Sequence, residues 1–476
     1  MAHVKMTFLT PPEMDLIHCQ SMKALAQIGI KVHSPQVLKL LEKKGATVDH
    51  AAMVAALPAT MITEALDVAP KSFTLCGRNS KHDLTLPAHP FPYATTSGLA
   101  LFVTDYQTGE YRKSIRRDIA DFARLADALS PDFLWTTMTA SDVPELTHGP
   151  HEIWQTLTHT QKHVQGVTVQ SAWDANVQIE LAALIAGGRE ALKKRPLISV
   201  ISCPLAPLSF EQGAIEAQVE FAKAGIPICS MSMSLGGLSA PVTVAGMIMN
   251  ANAENLASLV ITQAVAPGAP HIYTSESAPM DMLSGSINYN TPEKALVSFG
   301  LGQMAKHYGL PCLVADIGFG DKIQGGLEHV TFLAGQFLGP TAYTDIVTGI
   351  GCVDEAKGIS FGQAVIDAYM WDFLREFMKE IKITEDTIGL DAIQAVGHGG
   401  DFLTSDHTLK YLRTELTQWN KAKLDLLALK PTEMAQEAHQ IARQVLADHQ
   451  VPELDKAILR EGEAILARYE KEQAQQ

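Results

Sequence analysis

The stretch from Pro196 to Ser234, PLISVISCPLAPLSFEQGAIEAQVEFAKAGIPICSMSMS, holds two short apolar runs on either side of one amphipathic segment of helical length. The runs Pro196–Cys203 and Pro227–Ser234 each open on proline, are apolar early and turn polar late, which is how parallel strands buried on both faces read. Glu211–Lys223 between them predicts a helix. Working outward, the unit recurs, with strands predicted at Pro92–Ser97, Phe133–Ala140, Val164–Gln170, His271–Ser277, Cys312–Gly318 and Ala342–Thr348. Helix-length stretches, Asp174–Leu192, Val242–Val265, Pro292–Tyr308 and Gln324–Phe337, alternate with them. Eight alternations predict an α/β fold of the (β/α)8 barrel (TIM barrel) type; an open doubly wound sheet fits the same alternation.

In a closed barrel the chemistry gathers where the strands end and the βα loops converge. Here those ends present Ser97, Ser141, Gln170, Ser202, Ser232, Ser275, Glu276, Asp316 and Thr348. Polar residues also finish strands simply because loops meet solvent. Their joint position, more than any one of them, marks a site.

The chain of 476 residues exceeds a minimal barrel, and the surplus has a place. Residues 1–91 read as an N-terminal α+β cap with helical Glu13–Ile28 and Pro35–Lys44 and a hairpin over Ser72–Leu86. Residues 92–430 read as the barrel, interrupted by a hairpin insertion at 101–114 (LFVTDYQTGEYRKS) that would project over the mouth. Residues 431–476 read as C-terminal helices, Thr432–His449 and Glu453–Glu472.

A net charge of −15 argues against nucleic acid, whose phosphates need a basic surface, and permits a cationic substrate. No apolar run reaches the roughly 20 residues of a membrane span, and the start MAHVKMTFLTPPEMD lacks a secretory pattern, so no membrane association and a cytoplasmic location are expected. The six cysteines are dispersed without a Cys-x-x-Cys pair, so no disulfide framework is expected. His159 and His163, spaced i and i+4 after His148 and His151, are the nearest approach to metal ligands. They lack the carboxylate context of His-Glu-x-x-His, and no metal is expected. Neither a P-loop, a complete dinucleotide loop nor a Gly-x-Ser-x-Gly elbow occurs at a fitting position.

Longer stretches carry more. Ser234–Gly246 (SLGGLSAPVTVAG), Ala253–Ile272 (AENLASLVITQAVAPGAPHI), Ala315–Glu328 (ADIGFGDKIQGGLE) and Gly397–Arg413 (GHGGDFLTSDHTLKYLR) together resemble the trimethylamine methyltransferase family. So do Leu41–Asp49, Ala69–Arg78 (APKSFTLCGR) and Asp105–Asp118 (DYQTGEYRKSIRRD), which extends the resemblance to nearly the full chain. The resemblance implies a (β/α)8 barrel that moves a methyl group from an amine to the cobalt of a separate corrinoid (cobalamin-type) protein, with no tightly bound cofactor of its own. It also implies a homo-oligomer. Family members acting on trimethylamine carry pyrrolysine, and this chain contains only the twenty standard residues. That departure points to the pyrrolysine-free branch, which resembles glycine betaine methyltransferase and for which quaternary amines are the implied substrates.

A quaternary ammonium already has a neutral tertiary amine as leaving group, so no protein nucleophile is expected. The site has to supply position, aromatic faces and negative potential. The candidate substrate-binding residues are Gln170, Trp173, Glu276, Asp316, Phe319, His398 and Phe402, with Phe102 and Tyr106 on the hairpin insertion as further aromatic faces. Glu276 and Asp316 are expected to add negative potential. His398, with Gln170 and Lys322 behind it, is expected to meet a betaine carboxylate. Two other readings stay open: a pyrrolysine-independent demethylase of tertiary amines, and a non-catalytic betaine-binding protein.

Overall fold

The computed structural model describes residues 6–287, 289, 291–316, 343–354, 356–416 and 420–475. Eight parallel strands form its centre: β1 (Tyr93–Thr96), β2 (Leu134–Trp135), β3 (Val164–Gly166), β4 (Ile198–Ser202), β5 (Ile228–Ser232), β6 (His271–Ser275), β7 (Cys312–Asp316) and β8 (Ile346–Ile350). Their order in the sheet is β1-β8-β7-β6-β5-β4-β3-β2. The two ends meet, because Thr95 bridges Phe133 in parallel and Asp132 N donates to Ala94 O at 2.7 Å. The sheet is therefore a closed barrel, and the open alternative does not apply.

The helices that follow β1 to β6 are α1 (Arg116–Ala128), α2 (His148–Thr158), α3 (Ala172–Ala186), α4 (Gln212–Lys223), α5 (Val244–Val265) and α6 (Pro292–His307); α7 (Phe361–Phe377) follows β8. Side-chain N-caps start several of them, Ser171 on Asp174 N, Thr243 on Gly246 N and Thr291 on Lys294 N. The stretch read as one helix over Asp174–Leu192 breaks at Gly187 and Gly188, whose φ values of 88° and 126° end α3 in the left-handed region before a short second helix, Arg189–Lys194. The eighth strand begins later than Ala342, which lies outside the described residues. The segment just before it is occupied by Asp345, whose carboxylate takes Cys312 N, Ala88 N and the Lys306 ammonium.

The barrel interior is packed with Phe133, Trp135, Ile201, Cys229, Met231, Ile272, Leu313 and Ile346, and an antiparallel hairpin, Phe73–Leu75 with Leu84–Leu86, inserts Leu75, Leu84 and Leu86 into the same cluster. This hairpin closes the N-terminal end of the barrel, here called the base. Each fully buried leucine there contributes on the order of 1.5–3 kcal/mol. The rest of the N-terminal segment, helices Pro11–Gln27, Pro35–Lys43 and Ala59–Val68 around a small sheet, packs on the outer faces of α5 and α6. That covering is why α5 is buried nearly all round. Strands Phe102–Thr104 and Tyr111–Lys113 pair antiparallel after β1. Helices α8 (Pro431–Asp448) and α9 (Lys456–Gln473) close the outside, α8 against α7 and α9 against α3.

Candidate functional site

At the C-terminal end of the barrel, here called the mouth, most of the polar strand ends are used by the fold itself. Ser202 Oγ donates to Gln218 Oε1 at 2.6 Å, Thr348 Oγ1 to Thr96 O at 2.9 Å and Ser275 Oγ to Ser277 Oγ at 2.8 Å. Ser232 Oγ donates to the buried Glu254 of α5 at 2.5 Å, and Asn250 Nδ2 reaches the other oxygen of that carboxylate at 3.0 Å. These residues hold the loops over β4 to β6 and β8 in place.

Glu276 and Asp316 behave differently. The structure brings them together around a third residue, Lys294, in the first turn of α6. Lys294 Nζ donates to Glu276 Oε2 at 3.1 Å, lies 3.3 Å from Asp316 Oδ2 and reaches Ser298 Oγ at 3.5 Å, so its three protons are spent. The ammonium is buried, with 5% of its side chain accessible. Burial acts to lower the Lys294 amine, but the two carboxylates more than offset it and hold it above its ordinary value. Burial pushes Glu276 up, Lys294 pulls it back and Asp316 adds to the rise. Tyr289 sits within the same electrostatic surroundings, and burial together with Glu276 keeps its phenol protonated.

Among the described residues, two carboxylates meet one ammonium, a surplus of one negative charge when both are ionised. Glu276 Oε1 is buried and has no hydrogen-bond partner among the described residues. An orphaned anionic oxygen is expensive in a protein interior, with a cost of several kcal/mol that a bound cation would relieve. The thiols nearby are not nucleophiles: burial pushes Cys203 up to about 12 and Cys352 to about 11. Cys203 keeps accessible surface even so.

Around this centre the βα loops carry exposed apolar side chains. Leu205 follows β4, Leu238 and Val242 follow β5, and Met282 and Leu283 follow β6, all more than half exposed. The rim is therefore apolar and the floor is anionic.

The other expected site residues lie elsewhere. Trp173 stacks edge to face on Tyr469 of α9, with ring centroids 4.8 Å apart, and Gln170 Nε2 donates to Glu145 O at 3.3 Å. Phe102 stacks on Tyr111 and Tyr106 packs on Phe361, so the hairpin's rings serve packing. Phe319 and Lys322 lie outside the described residues. The expectation that His398 and Phe402 line the mouth is corrected by the course of α7, which runs from the mouth to the base. Gly351 N, just past β8, donates to Asp367 near its start, and Arg375 near its end pairs with Asp132 just before β2. The chain carrying His398 and Phe402 then departs from the base, where Glu380 pairs with His89 at 3.6 Å.

The histidines weighed as metal ligands are engaged singly. His151 Nε2 lies 2.7 Å from Glu470, and His163 lies 3.1 Å from Cys76 O and 2.9 Å from Ser199 Oγ. Among the described residues no group of three or more His, Cys, Asp or Glu is arranged to hold a metal ion, and no helix is long and apolar enough to cross a membrane.

Sequence reasoning missed Lys294 because a lysine in an amphipathic stretch reads as solvated. One signal was present: it falls right after Thr291-Pro292, a helix start, where the positive end of the helix dipole disfavours a cation.

A model of the trimethylamine methyltransferase family matches residues 2–474. The trimethylamine methyltransferase MttB of Desulfitobacterium hafniense is 30% identical over 404 residues, covering 85% of this chain and 81% of the relative. A glycine betaine methyltransferase of the same species is 28% identical over 477 residues, covering 98% of each. Among solved structures, the monomethylamine methyltransferase of Methanosarcina barkeri shares the fold, with a TM-score of 0.50 at 12% identity over 92% of this chain and 93% of that one.

Proposed function

This chain belongs to the trimethylamine methyltransferase family, and from that premise we propose that it moves a methyl group from a quaternary amine, glycine betaine or a related betaine, to the Co(I) of a separate corrinoid protein, releasing the tertiary amine. The observation that carries the substrate class is the buried, partnerless Glu276 Oε1 in a cluster with one surplus negative charge. A primary amine, or a tertiary amine once protonated, could satisfy that oxygen with an N–H. A quaternary ammonium satisfies it by charge alone, and the absence of pyrrolysine from the sequence favours this reading over trimethylamine. Identity does not decide between the two, since the curated relatives of both kinds stand within a few per cent of each other.

The acceptor's corrinoid supplies the nucleophile. What this chain supplies is placement and potential. Glu276 holds the cation while the site excludes water, which strengthens the attraction. As the methyl group leaves, the amine loses its charge, so an interaction that is too strong in the ground state raises the barrier. Lys294 answers this by cancelling one of the two carboxylates: the cation meets a net charge of one, not two. The apolar rim of Leu205, Leu238, Val242, Met282 and Leu283 suits a protein that docks and leaves.

The test incubates the purified chain with reduced cobalamin, then with a cognate corrinoid protein, and with glycine betaine, proline betaine, carnitine, trimethylamine or dimethylglycine. The visible spectrum of the reduced corrinoid is followed as it takes up the methyl group. Turnover with a betaine that is lost in Glu276→Gln supports the reading. Turnover with trimethylamine alone, or betaine binding without turnover in the presence of the corrinoid protein, overturns it.

A further inference from the structure

Opposite walls of the barrel mouth make opposite demands. On the side of β6 and β7, Glu276 keeps a buried oxygen that lacks a donor among the described residues. Across from it, at the end of β2, Trp135 keeps a donor that lacks an acceptor: its indole Nε1 is buried without a hydrogen-bond partner among the described residues, in a side chain whose residue is 4% exposed. Gln165 of β3, its neighbour in register, meets Ser199 Oγ at 3.0 Å with one end of its carboxamide and leaves the other end without a partner. A buried indole N–H ordinarily finds an acceptor, and leaving one bare is costly.

The strand registers place Trp135 at the level of the acids. Leu134 packs outward with Ile119 and Phe122 of α1, so Trp135 points inward, into the cluster that holds Ile201, Cys229 and Met231. Followed through β3, β4 and β5, the pairs Trp135 with Gln165, Gln165 with Ser199, Val200 with Ile228 and Ile228 with His271 bring it to the start of β6. Followed the other way, Phe133 with Thr95, Ala94 with Val347, Thr348 with Asp316 and Leu313 with Thr274 bring it past Ser277. The two results differ by the shear of a closed eight-stranded barrel, about eight residues. Because β6 lies halfway round from β2, the level of Trp135 falls midway, at Thr274 and Ser275, next to Glu276. Cys229 stands between the walls: its thiol is 2.9 Å from Thr274 Oγ1, and burial pushes it up to about 12, with Glu276 adding to the rise and Gln165 opposing it. One side chain thus feels both sides.

On the reading of the substrate as a betaine, on which this rests, we propose that Trp135 reads the substrate's carboxylate, its indole N–H donating to one carboxylate oxygen while Glu276 faces the ammonium from across the barrel. The two demands select the ligand. A quaternary ammonium without an acceptor leaves the indole unsatisfied, and a plain carboxylate satisfies the indole but meets the repulsion of Glu276 and Asp316. A molecule with a cation at one end and an acceptor at the other answers both. The acceptor is an anion before it is a hydroxyl, because a hydrogen bond to a charged oxygen is the stronger one. Anchors on opposite walls also fix the direction of the substrate, so the ammonium and its methyl groups always lie on the side of β6 and β7.

The test is equilibrium binding to the full-length chain by isothermal titration calorimetry, with glycine betaine and with tetramethylammonium, which carries the cation without the carboxylate. The wild type is expected to hold glycine betaine at least about tenfold more tightly than tetramethylammonium. Trp135→Phe keeps a ring and loses the N–H, so it is expected to raise the Kd for glycine betaine about tenfold and to leave that for tetramethylammonium unchanged. Glu276→Gln is expected to weaken both. The unaltered chain gives an independent reading: among the indole N–H resonances of its five tryptophans, glycine betaine moves one downfield and tetramethylammonium does not. A Trp135→Phe chain that binds glycine betaine as the wild type does, or that loses both ligands equally, overturns the proposal, as does a set of indole resonances that glycine betaine leaves in place. A wild type that does not bind glycine betaine at all overturns the substrate reading with it, so the two failures are told apart.

Discussion

The two ends of the barrel treat their carboxylates in opposite ways. At the base, Asp127 accepts from Thr160, Gln161 and His449, Asp132 from Ala94 and Arg375, and Asp345 from Ala88, Cys312 and Lys306. Burial would push Asp127 up, yet the bonds from Thr160 and Gln161 hold it below the usual range. Toward the mouth, Glu276 and Glu152 each keep one buried oxygen without a partner. Neutral buried groups without partners occur more widely, His271 near the base being one, with its ring pushed down to about 3 by burial. Among the described residues, the buried carboxylate oxygens without a partner lie toward the mouth. One end of the molecule is finished for stability and the other is left incomplete for a ligand, the usual division in this architecture.

This contrast can be broken or sharpened by four changes. Lys162, at the base, donates to Ala126 O, Leu129 O and Pro131 O at 2.8, 2.8 and 2.6 Å, closing the carbonyl end of α1. Lys162→Met strands three buried carbonyls and is expected to cost on the order of 3–5 kcal/mol in urea unfolding, with the methyl-transfer rate of the folded fraction unchanged. A loss of rate without a loss of stability would break the contrast.

Glu152 is pushed up to about 7 by burial, with Asp174 adding to the rise. Its folded state holds the proton more tightly than the unfolded one, so its contribution to stability is present below about 4.5 and lost as the pH rises through about 7. Glu152→Gln should therefore match the wild type at pH 5 and exceed its stability by roughly 3 kcal/mol at alkaline pH, read from urea midpoints across the range. A pH-independent difference would show that Glu152 is compensated after all.

Glu276→Gln should lower kcat/KM for the betaine about 100-fold, some 2.7 kcal/mol of transition-state stabilisation, while the melting temperature holds or rises. A fall in stability without a kinetic effect would move Glu276 into the structural class of Asp345. The smallest effect is expected from Lys294→Met. Without the ammonium that pulls it back, Glu276 takes up a proton at higher pH, so the acid limb of the kcat/KM profile moves to alkaline pH and activity at pH 7 falls about tenfold. An unmoved acid limb would mean that Lys294 does not govern the ionisation of Glu276.

Much of the barrel was legible because its strands are short runs such as ISVIS and ICSMS, buried throughout, in which apolar residues alternate with nothing more polar than serine. Closure was not legible. It rests on Thr95 meeting Phe133, a pairing that no local pattern encodes. The break of α3 was legible in principle, since adjacent Gly187 and Gly188 stood in the sequence. Of the site, Glu276 and Asp316 could be found as acids at strand ends, while their partner Lys294 lies on the next helix and meets them only through the fold. His398 and Phe402 were misplaced for a geometric reason. The 17 residues of α7, rising about 1.5 Å each, carry the chain the full height of the barrel before the Gly-His-Gly-Gly loop begins, and nothing in that loop says from which end it departs.

The hairpin seated on Phe133 and Ile346 turns the barrel into a cul-de-sac. On the proposed function, donor and acceptor must then share one doorway, and their traffic has a compulsory order. The amine enters before the acceptor protein docks and its demethylated remainder leaves after that protein departs. Steady-state kinetics should record this as competition between product amine and donor, and as slowing by excess acceptor protein, which shuts the door on an empty room.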